Sequence, residues 1–336
     1  MQFRQNISLK EFNTFAIDVK ARYFSTFCNV SELVESIDFE PKLNKLFLGG
    51  GSNILFTANI DGVVLKNEIH GIEIIHEDAE HIYVKVGGGE NWHSFVQQCM
   101  KRNWAGAENL SLIPGNVGAS PMQNIGAYGV ELKEIFHSLE AFHLEEKKIW
   151  QFTNNDCEFG YRNSVFKNRF KDQFVILNVC FRLNKKPVFH TSYGAIIQEL
   201  EKMKVKNFSI QAISQAVIHI RSSKLPDPEV IGNAGSFFKN PQITETSFKK
   251  LLEKYPGIVG YAVKEGIVKL AAGWLIEQAG WKGYRKGDAG CHEKQALVLV
   301  NHGHSSGQEI YNLSTEIMIS IKEKFNVDLE REVNIL

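Results

Sequence analysis

Three glycine-rich stretches lie within the first 130 residues, and each follows a short apolar run. The segments "KLFLGGGSNILF" (45–56) and "HIYVKVGGGENWHSFVQQCMKRN" (81–103) each hold three consecutive glycines, and "LIPGNVGASPMQNIGAYG" (112–129) is a longer glycine-rich loop. Glycine after a strand lets consecutive backbone N–H groups converge on an anion such as a phosphate. The alternative is that each stretch is only a tight turn. Three such loops together favour a large phosphate-bearing cofactor.

The spacing of these glycines excludes two common phosphate-binding loops. Neither GGG stretch continues as G-x-G-x-x-G, because Ile54 and Trp92 stand where the third glycine is required. The chain contains no Gly-Lys dipeptide, which excludes a Walker A loop. The loops therefore predict a cofactor site that lacks both of these fingerprints.

Length and charge limit the kinds of partner. The chain has 336 residues, of which 43% are hydrophobic, so we expect two or three domains with sizeable cores. Lys+Arg and Asp+Glu balance at 38 each, which argues against nucleic-acid binding but leaves room for a local basic pocket. The N-terminal "MQFRQNISLKEF" lacks the apolar stretch of a signal peptide, and no window approaches 18 apolar residues. We therefore expect a cytoplasmic protein without a membrane partner.

The cysteines and histidines show no spacing typical of a metal site. The five cysteines are scattered without a C-x-x-C pair, and the eleven histidines include no H-E-x-x-H motif. This usage is typical of a reducing compartment. We expect neither a metal nor a disulfide framework.

Apolar periodicity predicts strands and helices in irregular alternation. Alternating Ile82, Val84 and Val86 indicate a strand, and "SLEAFHLEEKKIWQF" (138–152), "FVILNVCFRL" (174–183) and "AVIHIR" (216–221) indicate more. The tail "VDLEREVNIL" alternates cleanly and predicts a final strand with Glu332 on its polar face. Because strict βαβ regularity is absent, the pattern favours the α+β class.

Helical patterns follow the glycine loops and fill much of the C-terminal third. A helix is predicted from about Trp92, and residues 185–215 have a loosely helical character. The segment 269–280 predicts a helix for which Gly280 is the C-terminal capping residue. The segment 307–325 predicts a second helix with one apolar stripe. A domain boundary is placed near 215–225, before the Pro- and Gly-rich loop 222–241.

Three polar residues stand out, each with an alternative that the pattern alone leaves open. Arg162, between Tyr161 and Phe166, could present a fixed guanidinium to a carboxylate, or lie on the surface. Lys224 in "SSKLPDP" suits a phosphate, or is a solvated loop lysine. For Glu332, the pattern alone favours a solvent-facing carboxylate over a functional one.

Ser236 in "GNAGSFFKNP" (232–241) raises the question of a nucleophile. The sequence around it does not form a G-x-S-x-G elbow, and no histidine is singled out as its base. A hydroxyl held between glycine and two phenylalanines could instead donate a proton.

An ordered set of motifs resembles one enzyme family from end to end. The matching segments are "NTFAI" (13–17), "LGGGSNILF" (48–56), "ENLSLIPGNVGASPMQNIGAYGVE" (108–131), "GYRNSVFK" (160–167), "KLPDPEVIGNAGSFFKNP" (224–241), "KLAAGWLIEQAGWKG" (269–283), "HEKQALVLVN" (292–301) and "EREV" (330–333). They resemble the UDP-N-acetylenolpyruvoylglucosamine reductases, flavoenzymes of peptidoglycan synthesis. "TSYG" (191–194) is similar to the longer variety of that family, which has a substrate-covering tyrosine loop.

The resemblance implies a fold and a domain plan. It implies an α+β protein with a two-subdomain FAD-binding fold of the vanillyl-alcohol-oxidase type and a C-terminal α+β substrate-binding domain. The corresponding ranges are 1–66 and 67–218 for the FAD-binding subdomains, with the tyrosine-loop insertion at about 185–215, and 219–336 for the substrate domain. The C-terminal strand is expected to return to the active site.

The resemblance also implies roles for individual residues. It implies Ser236 as the proton donor, with Glu332 and Arg162 completing the catalytic set. The implied substrate-binding residues are Tyr128, Tyr193, Lys224, Asn240 and Gln295. The implied FAD-binding residues are Gly49, Gly50, Gly51, Ser52, Asn53, Ile113, Pro114, Gly115, Gly118, Ala119, Ser120, Gln123, Asn124, Gly126 and Arg221.

The partners implied are small molecules. FAD is the expected cofactor, NADPH the co-substrate, and a UDP-sugar bearing an enolpyruvyl ether the substrate. The resemblance implies hydride transfer from NADPH to FAD and then to the substrate. The protein is expected to be a monomer.

Overall fold

The computed structural model describes residues 2–192 and 194–336, and the chain divides into two compact units. Unit 1 comprises Met1–Ile7, Ala21–Gly50 and Ile60–Ser223. Unit 2 comprises Ser8–Lys20, Gly51–Asn59 and Lys224–Leu336. The predicted third domain covers residues 219–336. The C-terminal segment of unit 2 begins instead at Lys224, and unit 2 also includes two segments from the N-terminal part of the chain.

Strands and helices alternate along the chain without a repeating unit. The strands are β1 (Arg4–Ser8), β2 (Lys20–Phe27), β3 (Lys45–Leu48), β4 (Ile54–Leu55), β5 (Ile60–Asn67), β6 (Ile72–Glu77), β7 (His81–Gly87), β8 (Gly126–Ala127), β9 (Val130–Glu131), β10 (Phe136–His143), β11 (Lys148–Thr153), β12 (Phe174–Asn184), β13 (Gly232–Ser236), β14 (Gln242–Thr244), β15 (Gly260–Lys264), β16 (Ile267–Leu270), β17 (Arg285–Lys286), β18 (Ala289–Cys291), β19 (Val298–Asn301) and β20 (Asn334–Ile335). The α-helices are α1 (Val30–Asp38), α2 (Trp92–Arg102), α3 (Gly194–Lys202), α4 (Ile210–Lys224), α5 (Glu245–Lys254), α6 (Ala272–Gln278) and α7 (Gly307–Phe325).

Unit 1 is built on two sheets. The first has the order β1-β2-β5-β3, with β5 parallel to both β2 and β3. The second is antiparallel with the order β11-β10-β12-β7-β6. Helix α2 packs Phe95, Val96 and Cys99 into the core shared with β7 and β12. The predicted strands at 82–86, 138–152 and 174–183 and the predicted helix from Trp92 are confirmed.

Unit 2 contains a four-stranded sheet of order β13-β19-β18-β17 and a three-stranded sheet of order β14-β16-β15. Helix α7 buries Ile310, Leu313 and Ile317, which are at most 1% exposed, so the predicted apolar stripe is confirmed. Ser306 and Glu309 begin this helix with a reciprocal capping box. Gly280 follows the end of α6 with a φ of +87°, as the predicted C-terminal position requires.

The prediction of a strand at 216–221 is wrong, because this segment lies within α4. Ile213, Ala216, Val217 and Ile220 are buried together, at the i, i+3, i+4 and i+7 spacing of one helix face. Six residues are too few to separate that spacing from strand alternation.

The C-terminal tail is extended but is not the continuous strand that its alternation predicts. Val327, Leu329 and Val333 are buried, so the predicted apolar face is present. Regular pairing is limited to β20 against β4 and a single bridge between Arg331 and Phe238. Glu332 is half-buried rather than solvent-facing.

The segment 222–241, which was predicted to be a loop, contains strand β13.

All five cysteines are free thiols, and only Cys28 is exposed. Burial raises the pKa of Cys157 and Cys291 to about 12 and that of Cys180 to about 11, and it also raises the pKa of Cys99. Because the thiolate is the reactive form, we expect a thiol reagent to titrate about one cysteine in the native protein and all five after denaturation. Cys28→Ser should abolish the native reaction. Rapid labelling of a second thiol in the folded protein would contradict this assignment.

Across the described residues, no helix combines the length and apolar content needed to cross a lipid bilayer.

Candidate active site

Asn116 joins the glycine loops of unit 1. Its Nδ2 donates to the carbonyl of Gly89 at 2.9 Å. A Cβ on Gly50 would stand 2.7 Å from Asn116 Oδ1 and 2.9 Å from Gly115 Cα, so only glycine fits there. The sequence analysis did not single out Asn116, although it lies between Gly115 and Gly118 in the quoted loop.

The loop Gly87–Gly89 is a tight turn. The N–H groups of Gly87, Gly88 and Gly89 donate to the carbonyls of Gly71, Leu177 and Ile69 at 2.7–2.9 Å. These three donors are already used within unit 1, so the tight-turn alternative holds for this loop.

The glycines at 49–51 differ from those at 87–89 in their backbone hydrogen bonds. Among the backbone–backbone hydrogen bonds of turns, loops and caps in the described residues, none has the N–H of Gly49, Gly50, Gly51 or Ser52 as its donor. In unit 2, Gly51 has a φ of +62°, and a Cβ there would collide with the carbonyl of Phe12. Only glycine therefore fits at position 51.

Two arginines of unit 1 form a cationic cluster at the third glycine loop. Arg221 Nε donates to the carbonyl of Leu112 at 3.2 Å, and Arg162 Nη2 donates to the carbonyl of Gly126 at 3.0 Å. Burial lowers the pKa of Arg221, Arg162 lowers it further, and Tyr128 partly offsets both. The mutual repulsion of two guanidinium groups makes this cluster a suitable site for an anion.

His93 is a second residue that the sequence analysis missed. Its Nδ1 accepts from the N–H of Leu112 at 2.9 Å. Burial and the nearby Arg221 lower its pKa, so the neutral ring is favoured. Its position in α2, just after the second glycine loop, was the only available signal.

Arg162 is fixed by a small hairpin. Strands β8 and β9 pair only Gly126 with Glu131 and Ala127 with Val130. The turn residues Tyr128 and Gly129 have φ of +50° and +84°, as a two-residue hairpin of the primed type requires. The hairpin therefore presents Tyr128 and holds the guanidinium of Arg162.

Several predicted FAD-binding side chains are used inside unit 1. Ser120 is 2% exposed, and its hydroxyl donates to the carbonyl of Val117. Asn124 is fully buried, and its amide makes three hydrogen bonds with Glu131, Gly160 and Lys133. Any contact of these two residues with a cofactor would come from main-chain atoms.

In unit 2, Ser236 and Glu332 lie on paired segments. Ser236 ends β13 and pairs with Val298 of β19. The N–H of Glu332 donates to the carbonyl of Phe237 at 2.8 Å, and Asn53 Nδ2 donates to the carbonyl of Glu332 at 3.3 Å. The tail thus brings a carboxyl residue alongside the Ser236 loop, across a long separation in sequence.

The surroundings of Ser236 are dry on one side and open on the other. Phe237 and Phe238 are at most 1% exposed and lie edge to face. Gly235 has a φ of +68°, and a Cβ there would meet nothing within 4 Å. The glycine therefore leaves space beside Ser236, and the phenylalanines close the core behind it.

Asn240 and Gln295 both reach the start of α6 in unit 2. Asn240 Oδ1 accepts from the N–H of Ala272 at 2.9 Å, and Gln295 Oε1 would lie 3.0 Å from a Cβ on Gly273. Lys224 is exposed at the last residue of α4. Tyr193 lies outside the described residues.

Comparisons with known proteins match both parts of the chain. A model described as an FAD binding domain matches residues 28–146, and one described as the C-terminal domain of UDP-N-acetylenolpyruvoylglucosamine reductase matches residues 227–336. These domains define the chain as an FAD-dependent oxidoreductase, with NADPH as the reductant.

The relatives identify the family. The UDP-N-acetylenolpyruvoylglucosamine reductases of Amoebophilus asiaticus and Flavobacterium johnsoniae are 50% and 48% identical to this chain, with 100% of each chain covered. The chain belongs to the family of UDP-N-acetylenolpyruvoylglucosamine reductases. The crystal structure of the enzyme from Thermus caldophilus has a TM-score of 0.70 at 22% identity, covering 100% of this chain and 99% of that chain. The predicted α+β class, with an FAD-binding fold and a C-terminal domain, is confirmed.

The residues of unit 1 fit the charged parts of FAD. Gly50 packs closely against Gly115 and Asn116, which fixes the backbone of the first glycine loop against the third. A Cβ on Gly49 would meet only Asn116 Cβ, so at Gly49 a pyrophosphate could approach the backbone closely. Arg221 lies at the third glycine-rich segment, where it donates to the carbonyl of Leu112. Backbone donors and a guanidinium are groups that phosphates prefer.

Gly49 and Gly50 are adjacent but differ in the space around them, so substitutions there distinguish FAD binding from internal packing. A Cβ on Gly49 would meet only Asn116 Cβ at 3.8 Å, whereas one on Gly50 would clash with backbone. We expect Gly49→Ala to keep the melting temperature of the FAD-free protein while weakening FAD retention at least tenfold. Gly50→Ala should lower both. FAD retention and thermal unfolding measure the two effects, and undiminished FAD affinity in Gly49→Ala would show that the cofactor does not approach there.

Proposed function

We propose that this protein reduces the enolpyruvyl ether of UDP-N-acetylglucosamine-enolpyruvate to UDP-N-acetylmuramate in peptidoglycan synthesis. Bound FAD supplies the hydride transfer, from NADPH to C3 of the enolpyruvyl group. The observation that carries the proposal is the backbone pairing of Glu332 with Phe237, which sets a carboxyl residue beside the Ser236 loop. Identity of 50% over the whole chain to a relative bearing this enzyme's name supports it.

Arg162 is proposed to hold the carboxylate of the enolpyruvyl group. Addition of hydride at C3 pushes an electron pair toward C2 and that carboxylate. A guanidinium fixed by Gly126 needs little reorganisation as the charge develops, which is the main advantage of preorganised electrostatic stabilisation. The residue has a φ of +52°, so its backbone is held in a conformation that arginine rarely adopts.

Ser236 is proposed to deliver the proton to C2. A serine hydroxyl is a weak acid, but a carbon with carbanion character is a strong base. A weak acid therefore suffices when it is positioned and water is excluded. The open space at Gly235 admits the substrate, and buried Phe237 and Phe238 keep water from one side.

Glu332 is proposed to donate a hydrogen bond to the same developing charge. This role requires the Glu332 carboxyl to carry a proton when the charge develops, and the residue is half-buried. The nucleotide is proposed to contact Tyr193, Lys224 and Asn240 through its diphosphate. Gln295 and Tyr128 are proposed to contact the substrate further along its length.

An anaerobic two-step titration tests the proposed function. The flavin absorbance should bleach with NADPH and return on addition of the enolpyruvyl nucleotide, with slow return in oxygen. Fast oxygen turnover and indifference to the nucleotide would instead indicate an oxidase of the same fold, acting on a sugar or lactone.

A further inference from the structure

Asn109 joins two segments of unit 1 that are far apart in sequence. It lies in the short 3-10 helix Glu108–Leu110 and is 1% exposed. Its Nδ2 donates to the carbonyl of Tyr128 at 3.0 Å and to the carbonyl of His190 at 2.8 Å. Both hydrogens of the amide are therefore used, one on the hairpin turn and one on the segment between β12 and α3.

The hairpin that receives this bond is short. Its ladder contains two residue pairs, and both turn residues have positive φ. The side chain of Tyr128 packs against the apolar cluster of α3 and α4. The hydrogen bond from Asn109 to the carbonyl of Tyr128 therefore helps to fix the orientation of the turn.

The same hairpin fixes the guanidinium of Arg162 through the carbonyl of Gly126. Displacement of the tip would move Tyr128 and change the acceptor that holds Arg162. Asn109 touches neither of these side chains in any hydrogen bond of the described residues, so its effect would be transmitted through the backbone of 126–131.

We infer that Asn109 is a positioning residue for Tyr128 and Arg162, and through them for the bound enolpyruvyl nucleotide. The inference rests on the proposed function for the identity of that substrate. Only an amide meets the requirement, because the site needs two hydrogen-bond donors facing two carbonyl oxygens in a dry environment.

Asn109→Asp is the sharpest variant, since it keeps the shape and removes both donors. A carboxylate there would face two carbonyl oxygens, whereas the protonated acid can donate to one of them. Burial raises the pKa of such an acid, so its donor is present at low pH and lost as pH rises. The titratable neighbours Glu108 and His190 are present in both proteins, so a pH dependence found only in the variant reports the new carboxyl and its coupling to them.

The experiment follows the two half-reactions separately by stopped flow, from about pH 5 to pH 9. For Asn109→Asp we expect flavin reduction by NADPH to stay within about twofold of wild type. Reoxidation by the enolpyruvyl nucleotide should slow about 10- to 100-fold at high pH and partly recover as pH falls. Gly129→Ala strains the same turn without touching Asn109, and it should slow the same half-reaction.

The control for replacing an amide by a carboxyl elsewhere in unit 1 is Gln211→Glu, at an exposed position. Gln211 Nε2 also donates to two oxygens of unit 1, those of Met100 and Asn103, but it holds α4 rather than the hairpin. It should leave the ratio of the two half-reactions unchanged. Equal slowing of both half-reactions in Asn109→Asp, or no recovery at low pH, would overturn the inference. Failure of wild-type flavin to be reoxidised by the nucleotide would instead refute the proposed function.

Discussion

Replacement of Ser236 by alanine is expected to leave flavin reduction by NADPH nearly intact while slowing flavin reoxidation by the enolpyruvyl nucleotide about 10²- to 10⁴-fold. This range is typical of the loss of a positioned general acid. The Cβ is retained, and Ser236 pairs with Val298 through its backbone, so the fold should not change. Single-turnover kinetics under anaerobic conditions measure both steps.

Ser320→Ala provides the control for a lost hydroxyl in unit 2, because Ser320 lies on α7, far from the Ser236 loop in sequence. It should change neither half-reaction. If Ser236→Ala damages both steps equally, the hydroxyl is not the proton donor and its role is structural or in binding.

Replacement of Arg162 by lysine is expected to slow the substrate half-reaction about 10²- to 10³-fold, the range seen when one preorganised donor to a developing oxyanion is lost. Lysine keeps the positive charge but lacks the planar guanidinium. The guanidinium can donate to the carbonyl of Gly126 and still present further N–H groups to a carboxylate. The defect should fall on the rate of reoxidation at saturating nucleotide, since the interaction strengthens in the transition state.

Arg169→Lys is the matched control for this change. Arg169 lies in the same segment, pairs with Glu158 at 3.3 Å and stacks over Phe170, and it is exposed. Its replacement should leave both half-reactions unchanged. A similar loss in the two variants would mean that the segment, rather than the guanidinium of Arg162, carries the effect.

Regular elements with a strong apolar period were predictable from the sequence. Helix α7 and strand β7 bury residues at the spacing that their patterns indicate, because local periodicity follows directly from which face meets the core. Helix α4 was not predictable in this way, because the short window 216–221 resembles the alternation of a strand. The helical period becomes visible only over the full helix, whose other side carries Gln211, Ser214 and Arg221.

The candidate site was predictable only through the ordered motifs. Glycine loops indicated a phosphate-bearing cofactor, but the pattern around Glu332 favoured a solvent-facing carboxylate. Asn116 and Asn109 act through hydrogen bonds to residues distant in sequence, and local pattern contains no trace of such a partner. Asparagine in a glycine-rich loop is equally suited to a turn, so its role needed the structure.

Unit 2 is discontinuous, and this has a consequence for how the chain acquires its structure during synthesis. Its C-terminal segment is bound to early residues: the N–H of Asn233 donates to the carbonyl of Thr14, Asn301 Nδ2 donates to that of Phe15, and β20 pairs with β4. The first two of its three segments therefore leave the ribosome long before their partners exist. Because non-local contacts must close large loops before they stabilise anything, this unit should form late, after residues 334–335 have left the ribosome. A fragment beginning at residue 224 would lack these partners, which makes it a poor substitute for the intact chain.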